Sequence, residues 1–268
     1  MTRIIAIDWS GKAKYAALTI WLAEAVQGQL VRLENGRTRD DIADWLIDES
    51  KRDPDIVAGF DFAFSMPAWY LLEQGFADAP SLWNAMHGGL SEQLLGGCET
   101  PLWGRRGKRK PPPDEARDCF RATDRAHVIG GIAPKSVFQI GGAGAVGTGS
   151  LRGMPVLYRL HEAGFHIWPF CDAGLPRVIE IYPRLLTGPV RKRRGEARQC
   201  YIATHCPDLD AESAHVAAST EDAFDAAVSA LVMSAHANEF RNLPAAADQQ
   251  QQLEGLIWAP RHAACACS

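Results

Sequence analysis

Short apolar runs separated by turn residues dominate the amino-terminal part of the chain. Residues 4–7 are aliphatic and lead into Asp8 and a glycine-containing turn, and residues 15–22 and 28–33 form two further apolar runs around a turn at 26–28. Aliphatic and β-branched runs of this length, bounded by turn signals, predict strands. Three such strands in succession predict an antiparallel meander.

A helix and a fourth strand are predicted next. Thr38 precedes two acidic residues and then apolar positions at helical spacing up to residue 47, and Pro54 closes the segment. A capping residue with acids in the first turn is typical of a helix start. Residues 55–67 are almost uninterruptedly apolar, with Asp61 at the centre, which predicts a strand covered on both faces.

Helical and strand patterns alternate in the rest of the chain. Residues 151–163 predict a helix, 165–170 and 177–183 predict strands, and 219–233 predict an alanine-rich helix. Residues 67–134 have a weaker pattern, with short helical pieces and Gly- and Pro-rich connections, which predicts a long insertion after the fourth strand. The expected fold is α/β, a mixed five-stranded sheet flanked by helices.

Composition and charge narrow the class of protein. The 268 residues are 47% hydrophobic and 22% charged, which predicts one globular domain over 1–268 with a flexible tail at about 260–268. A net charge of -4 excludes a wholly basic protein that coats nucleic acid. Seven cysteines without a Cys-x-x-Cys pair favour a reducing, cytoplasmic compartment. No apolar stretch approaches membrane-spanning length, so no membrane partner is expected.

Several acidic residues stand in apolar surroundings. Asp8 ends the first strand, Asp61 interrupts the fourth, Glu180 interrupts a later strand, and Asp225 lies among Ala and Val in the last strong helix. Asp222 is three residues before Asp225 and shares its helix face. A buried carboxylate without a partner is costly, so each of these acids needs a cation or hydrogen-bond donors.

Simpler explanations stay open for three of these acids. Asp8 could hydrogen-bond its own turn, as short acids after strands often do. Asp61 could pair with one of the many arginines. Asp222 lies in the first turn of its helix, where a negative charge stabilises the helix dipole.

The combination of acids predicts metal chemistry. Carboxylates at the end of a first strand, in a later central strand and on a late helix are the ingredients of a two-metal phosphoryl-transfer site. Mg²⁺ and Mn²⁺ prefer hard oxygen ligands, and two ions about 4 Å apart stabilise the attacking and leaving oxygens of an in-line displacement. The expected cofactors are two Mg²⁺ or Mn²⁺ ions.

A cationic loop follows Trp103 and leaves through three prolines. Its basic residues are Arg105, Arg106, Lys108, Arg109 and Lys110. Clustered Arg and Lys beside an aromatic residue indicate contacts to a phosphate backbone, although a solvated loop has the same pattern. Ser10 and Lys135 are further candidate substrate contacts, and residues 191–194 form a second basic cluster.

A glycine-rich segment offers a competing interpretation. Gly142, Gly144 and Gly147 have the spacing of the dinucleotide-binding Gly-x-Gly-x-x-Gly motif, and Glu162 follows at a suitable distance for a ribose contact. The motif lies in mid-chain, however, and Glu162 falls within the predicted helix. A turn that binds phosphate or permits close packing is the alternative.

Taken together, the order of elements resembles the ribonuclease H-like fold. Four segments also resemble domain-of-unknown-function family 429, described as predicted nucleases with that fold. They are Ile-Asp-Trp-Ser-Gly at 7–11, Gly-Phe-Asp-Phe-Ala-Phe-Ser at 59–65, Val-Ile-Glu-Ile-Tyr-Pro at 178–183 and Asp-Ala-Phe-Asp-Ala-Ala at 222–227.

This resemblance covers most of the chain and implies roles for individual residues. Asp8, Asp61 and Asp225 correspond to metal ligands of related nucleases, with Asp222 beside them as a fourth catalytic acid. Glu180 matches an acid-Tyr-Pro motif and joins the catalytic candidates without an assigned role. The resemblance supports the fold more strongly than the activity.

The sequence therefore predicts a metal-dependent nuclease that acts on DNA or RNA. A homodimer is compatible with a branched substrate. Two other classes remain: an enzyme that binds a dinucleotide or ATP through residues 142–147, and a non-catalytic nucleic-acid-binding module of the same fold.

Overall fold

The computed structural model describes residues 1–105, 107–114, 116–142 and 144–260. The described strands form one mixed sheet in the order β3-β2-β1-β4-β6-β5, with β7 also pairing with β6. The strands are β1 (Arg3–Asp8), β2 (Trp21–Val26), β3 (Gln29–Asn35), β4 (Ile56–Phe60), β5 (His166–Ile167), β6 (Arg177–Ile181) and β7 (Ile257–Trp258). β1, β2 and β3 pair antiparallel, and the other pairs are parallel.

Helices cover the sheet and account for most of the remaining regular structure. They are α1 (Arg39–Arg52), α2 (Ala68–Glu73), α3 (Ala79–Ala85), α4 (Ser91–Gly97), α5 (Ala122–Ala126), α6 (Val146–Glu162), α7 (Pro183–Thr187), α8 (Gly195–His205), α9 (Ala211–Ser219), α10 (Glu221–Ala235), α11 (Ala237–Phe240) and α12 (Gln249–Glu254). A 3₁₀ turn at Ala16–Leu18 and a π turn at Met86–Leu90 complete the described helical segments. The α/β class predicted from the sequence is confirmed.

The predicted count of five strands is wrong, because the sheet has seven described strands. The strand predicted over 165–170 is present but contains only the two residues of β5. β7 also has two residues, which is too short for a two-residue periodicity to show in the sequence. The predicted strand over 15–22 also starts too early. Tyr15 has a left-handed backbone with φ 58° and introduces the 3₁₀ turn, so that β2 begins only at Trp21.

The structure confirms the predicted turn at 26–28 and the predicted helix start at Thr38. Gln27 and Gly28 both have positive φ, 53° and 80°, as a tight turn between antiparallel strands requires. Thr38 accepts a hydrogen bond from the backbone of Asp41, whose side chain accepts one from the backbone N–H of Thr38. This capping box starts α1 because it satisfies two amide groups that the helix leaves free.

The alternation of side chains along the central strands creates two separate cores. Ile5 and Ile7 of β1 and Phe60 of β4 belong to the cluster beneath α1 and α6, whereas Ile4 and Ala6 belong to the cluster beneath α10. Successive residues of a strand point to opposite faces. Both faces of β1 and β4 are therefore buried.

Segment 67–134, the predicted insertion, contributes to the same core as the sheet. Tyr70, Leu82 and Trp83 are buried in the cluster that also contains Ile7 and Phe60. The segment therefore shares one apolar core with the strands beside it.

None of the helices in the described ranges is both long enough and apolar enough to cross a membrane. The predicted tail lies almost entirely outside the described residues, which end at residue 260.

Candidate functional site

Two acidic residues lie side by side at the carboxyl ends of adjacent parallel strands. Asp8 is the last residue of β1, and Asp61 directly follows β4. Ile7 is in register with Phe60, and the Asp61 N–H donates to the Ile7 carbonyl at 3.1 Å. The prediction that Asp61 interrupts the centre of a strand is therefore wrong, because β4 ends one residue earlier. Its actual position, at the end of the strand, brings it beside Asp8.

The first turns of α10 add two more carboxylates. Thr220 caps this helix by accepting a hydrogen bond from the Ala223 N–H at 3.0 Å. Asp225 is 4% exposed, and α10 packs across β1 and β2. Asp222 is partly buried, and the positive charge of Lys12 favours its ionised form.

Burial and mutual repulsion disfavour the charged forms of these acids. Burial, followed by the neighbouring carboxylates of Asp225 and Asp61, raises the pKa of Asp8 well above its usual range. Burial also raises the pKa of Asp61 to about 7, although Lys192 opposes that shift. The pKa of Asp225 is raised mainly by burial. The four aspartates predicted from the sequence thus form one electrostatically connected group.

Lys192 is the cation of this group, and sequence reasoning did not single it out. Its Nζ donates to Oδ2 of Asp225, and the charges of Asp61 and Asp8 also act on it. Burial alone would lower the pKa of Lys192, but the carboxylates more than offset it and the pKa is raised. The only sequence signal was its place in the basic cluster 191–194, which does not reveal which side chain turns inward.

A buried arginine fixes the segment that carries Lys192. Arg198 of α8 donates from Nη1 to the Lys192 carbonyl at 2.5 Å and from Nε to the Ala218 carbonyl at 2.9 Å. Arg198 thereby ties the α7–α8 connection to the end of α9, just ahead of α10. The Lys192 ammonium group is held near Asp225 by this scaffold.

The donor chemistry of the cluster fits a hard divalent cation. Asp225 Oδ1 is buried and has no hydrogen-bond partner among the residues that the structure describes, which is costly unless a cation or donor meets it. Carboxylate oxygens are the ligands that Mg²⁺ prefers. Among the described residues, no three acidic, histidine or cysteine side chains are close enough to share a metal ion. The predicted ligands Asp8, Asp61 and Asp225 therefore act on one another and on Lys192 electrostatically, but the structure does not place their carboxylates close enough to share one ion.

Glu180, the fifth predicted catalytic acid, has a different environment. Its carboxylate accepts two hydrogen bonds from Arg121, at 2.5 and 2.8 Å, and one from the Phe64 N–H at 2.9 Å. Glu180 is in register with Phe60, so it projects from the face opposite to Asp61. Burial raises its pKa although Arg121 opposes this. Glu180 already has strong partners within the protein.

A cavity of 310 Å³ lies between these two groups of acids. Its lining includes Trp9, Asp61, Lys135, Glu180 and Tyr182. Burial and the charge of Asp61 raise the pKa of Tyr182, so its hydroxyl stays protonated. The cavity therefore has a hydroxyl donor and one lysine in the same wall lining as Asp61.

Of the predicted substrate-contacting basic residues within the described ranges, Lys135 is the one that lines this cavity. Lys108 pairs with Glu99 at 3.4 Å. Lys110 lies over the rings of Trp103 and Phe120, 5.8 and 5.0 Å from their centroids, and lines a separate depression.

The other four predicted substrate contacts do not line this cavity or fall outside the described residues. Arg105 and Arg109 lie in the loop beside Lys108 and are absent from the lining of the 310 Å³ cavity. Arg106 falls outside the described residues. Ser10 is buried, and its Oγ accepts hydrogen bonds from Thr19 Oγ1 at 2.8 Å and the Lys12 N–H at 3.3 Å. These contacts stabilise the turn after β1.

The glycine-rich segment forms the entry to α6, whose first amides are already used. The N–H groups of Val146, Gly147 and Thr148 donate to backbone carbonyls within the segment 139–145. A Cβ on Gly147 would lie 2.0 Å from the Val137 carbonyl oxygen. This glycine is needed for close packing, and the amides that would bind a phosphate are occupied.

Comparison of the chain with protein-family models, with curated proteins and with solved structures finds no match. The aspartate cluster and the cavity beside it are therefore the features of the molecule that indicate a function.

Proposed function

We propose that this protein is a divalent-metal-dependent nuclease that hydrolyses phosphodiester bonds at the aspartate cluster. One observation carries the proposal: Asp8, Asp61 and Asp225 come from two strand ends and a helix far apart in sequence, and meet in one buried group. A fold has no structural need to bury several like charges together, because their repulsion and desolvation oppose folding. Functional sites are where such arrangements are concentrated.

The topology supports a ribonuclease H-like fold as part of this proposal. β3, β2 and β1 form the antiparallel half of the sheet, and β4 and β6 extend it in parallel from β1. In the expected fold the acids come from the first strand, the fourth strand and a late helix. Asp8, Asp61 and Asp225 have those three positions.

In the proposed reaction, Asp8, Asp61 and Asp225 would hold the metal through carboxylate oxygens. Bound Mg²⁺ or Mn²⁺ supplies a Lewis acid for a phosphoryl oxygen and a water of lowered pKa. Lys135 lines the same cavity as Asp61, and its positive charge would offset the charge of a phosphate group bound there. Asp222 adds negative charge at the rim and strengthens the attraction for a cation.

The proposal is tested by cleavage of labelled single-stranded, duplex and branched DNA and RNA in Mg²⁺ and Mn²⁺. Asp8→Asn retains the shape of the side chain and removes the charge, so we expect cleavage to fall more than about 100-fold, the effect known even for outer-shell partners of metal ligands. Asp48→Asn, at an exposed position paired with Lys51, is the matched control and should cleave like the wild type.

Undiminished cleavage by Asp8→Asn would refute the assignment of the site. Tight binding of nucleic acid without turnover in either metal would instead support the non-catalytic module. Stabilisation by NAD or ATP alone would favour the nucleotide-binding alternative, which the occupied amides at the start of α6 make the weaker one.

A further inference from the structure

Three exposed arginines lie in the segment that carries Lys192. The side chains of Arg191, Arg193 and Arg194 are exposed, whereas the Lys192 ammonium group turns inward to Asp225. Within the part of the chain that the structure describes, no acidic side chain forms an ion pair with any of these three arginines. Their positive charges are therefore available to an external anion.

The segment 191–194 also lies next to the proposed catalytic aspartates. Lys192 Nζ donates to Oδ2 of Asp225, so the main chain at Lys192 is separated from Asp225 by one lysine side chain. Arg191 and Arg193 are attached to the residues on either side of Lys192. A nucleic acid strand held at the aspartates would therefore pass close to the exposed guanidinium groups.

Hydrogen bonds from two further arginines hold this segment in place. Arg198 is buried and donates from Nη1 to the Lys192 carbonyl at 2.5 Å. Arg184 donates from Nη1 to the carbonyls of Gly188 and Val190 at 3.0 and 2.7 Å. The exposed arginines thus project from an anchored main chain, so that binding a ligand requires little ordering of the backbone.

We propose that Arg191, Arg193 and Arg194 bind the phosphate backbone of the nucleic acid substrate. The inference rests on the proposed nuclease function and identifies the surface that holds its substrate. A guanidinium group stays charged and can donate two parallel N–H groups to one phosphate. Glu196 is the one acidic residue between positions 188 and 200, so the segment has an excess of positive charge although the whole chain has a net charge of -4.

The cationic loop that follows Trp103 is the less suitable surface. Lys108 pairs there with Glu99 at 3.4 Å, and Lys110 lies over two aromatic rings. None of the described residues of this loop belongs to the lining of the cavity that contains Asp61. The structure therefore favours the segment 191–194 over the loop as the contact to a strand bound at the aspartates.

The test measures binding of labelled single-stranded and duplex oligonucleotides by fluorescence anisotropy at several salt concentrations. A chelator is present, so that metal-dependent cleavage does not interfere. Each phosphate contact contributes about 0.7–0.9 to the slope of log affinity against log salt concentration. We expect the variant that combines Arg191→Gln, Arg193→Gln and Arg194→Gln to lose about 2–3 units of this slope. Circular dichroism checks that the variant retains its fold.

The matched control combines Lys51→Gln, Arg52→Gln and Arg241→Gln, which removes the same number of positive charges. These three residues form ion pairs at exposed positions around the amino end of β4. Asp8 and Asp61 lie at the opposite, carboxyl ends of β1 and β4. The control should therefore keep the wild-type slope.

Each other outcome overturns the inference. An unchanged slope in the three-arginine variant, an equal loss in the control, or no oligonucleotide binding by the wild type would do so. A loss confined to a variant that combines Arg105→Gln, Lys108→Gln and Arg109→Gln would assign the backbone contacts to the loop instead. Binding to phosphatidylserine vesicles and to no oligonucleotide would assign the surface to a membrane.

The nuclease proposal is decided by a different measurement. It fails if the wild type cleaves none of the substrates in Mg²⁺ or Mn²⁺, or if Asp8→Asn cleaves as well as the wild type. Cleavage that depends on Asp8, together with an unchanged salt slope in the three-arginine variant, would retain the nuclease and reject the arginine surface.

Discussion

Two groups of buried carboxylates border the same cavity and differ in how their negative charge is compensated by cations of the protein. Glu180 and Asp124 are both bound by Arg121, which is 1% exposed and donates to each of them from its guanidinium group. Asp8, Asp61 and Asp225 share the positive charge of Lys192, which forms an ion pair with Asp225. The first group has the contacts of a structural ion pair, whereas the second retains an unsatisfied buried oxygen.

This difference separates a stabilising cluster from a candidate functional one. Around Arg121, removal of one partner would leave an uncompensated buried charge. Around Asp8, removal of one carboxylate would relieve repulsion between like charges. The two clusters should therefore respond to mutation with opposite signs.

The largest effect on the free energy of unfolding is expected for Arg121→Leu. This change leaves Glu180 and Asp124 buried without their cation, and should lower the free energy of unfolding by about 3–5 kcal/mol, as measured by urea denaturation. Arg125→Leu is the control, because Arg125 pairs with Asp118 at an exposed position and should cost at most about 1 kcal/mol. Equal costs for the two variants would contradict a structural role for the buried cluster.

The stability of the metal-free protein is expected to depend on pH through the aspartate cluster. Burial raises the pKa of Asp61 to about 7, compared with about 3.9 in an unfolded chain. Between these pH values the folded chain holds a proton that the unfolded chain has released, so stability falls as pH rises towards 7 and changes little above it.

Thermal unfolding in a chelator between pH 5 and 8 checks this slope. Asp61→Asn cannot titrate, and we expect the decline in melting temperature to be shallower in this variant. A wild-type melting temperature that is constant or rises over the same range would contradict the raised pKa of Asp61.

The smallest effect is expected for Asp8→Asn in the metal-free protein. Because its ionised form is disfavoured by burial and by Asp225 and Asp61, the neutral isostere should raise the free energy of unfolding at pH 8 by about 1 kcal/mol, the equivalent of roughly one pKa unit. Denaturant titration measures it, with Asp48→Asn changing by less than about 0.5 kcal/mol. A marked loss of stability would mean that Asp8 has a structural partner.

Interactions between residues close in sequence were enough to predict much of the fold. The cap at Thr38, the tight turn at Gln27 and Gly28, and the cap at Thr220 each depend on residues at most three apart, so the sequence contains the whole interaction. The long apolar runs also predicted where β1 and β4 would lie. β7 was missed because pairing with β6, and not a pattern in its own two residues, makes it a strand.

The candidate site was predictable only in part. Asp8, Asp61 and Asp225 were recognisable because a carboxylate in an apolar run needs an explanation. Lys192 and Arg121 were not, since each is one basic residue among 28 Lys and Arg residues. Asp225 lies 33 residues from Lys192, and Glu180 lies 59 residues from Arg121 along the chain.

The sequence by itself determined the α/β alternation and the delivery of acids to the ends of strands and the start of a helix. Only the tertiary structure decided which acids meet. The pairing of Phe60 with Glu180 and of Ile7 with Phe60 places Asp8 and Asp61 on one face and Glu180 on the other. Strand register and long-range ion pairs depend on the packing of the whole chain, because side chains alternate between faces and one step of register exchanges them.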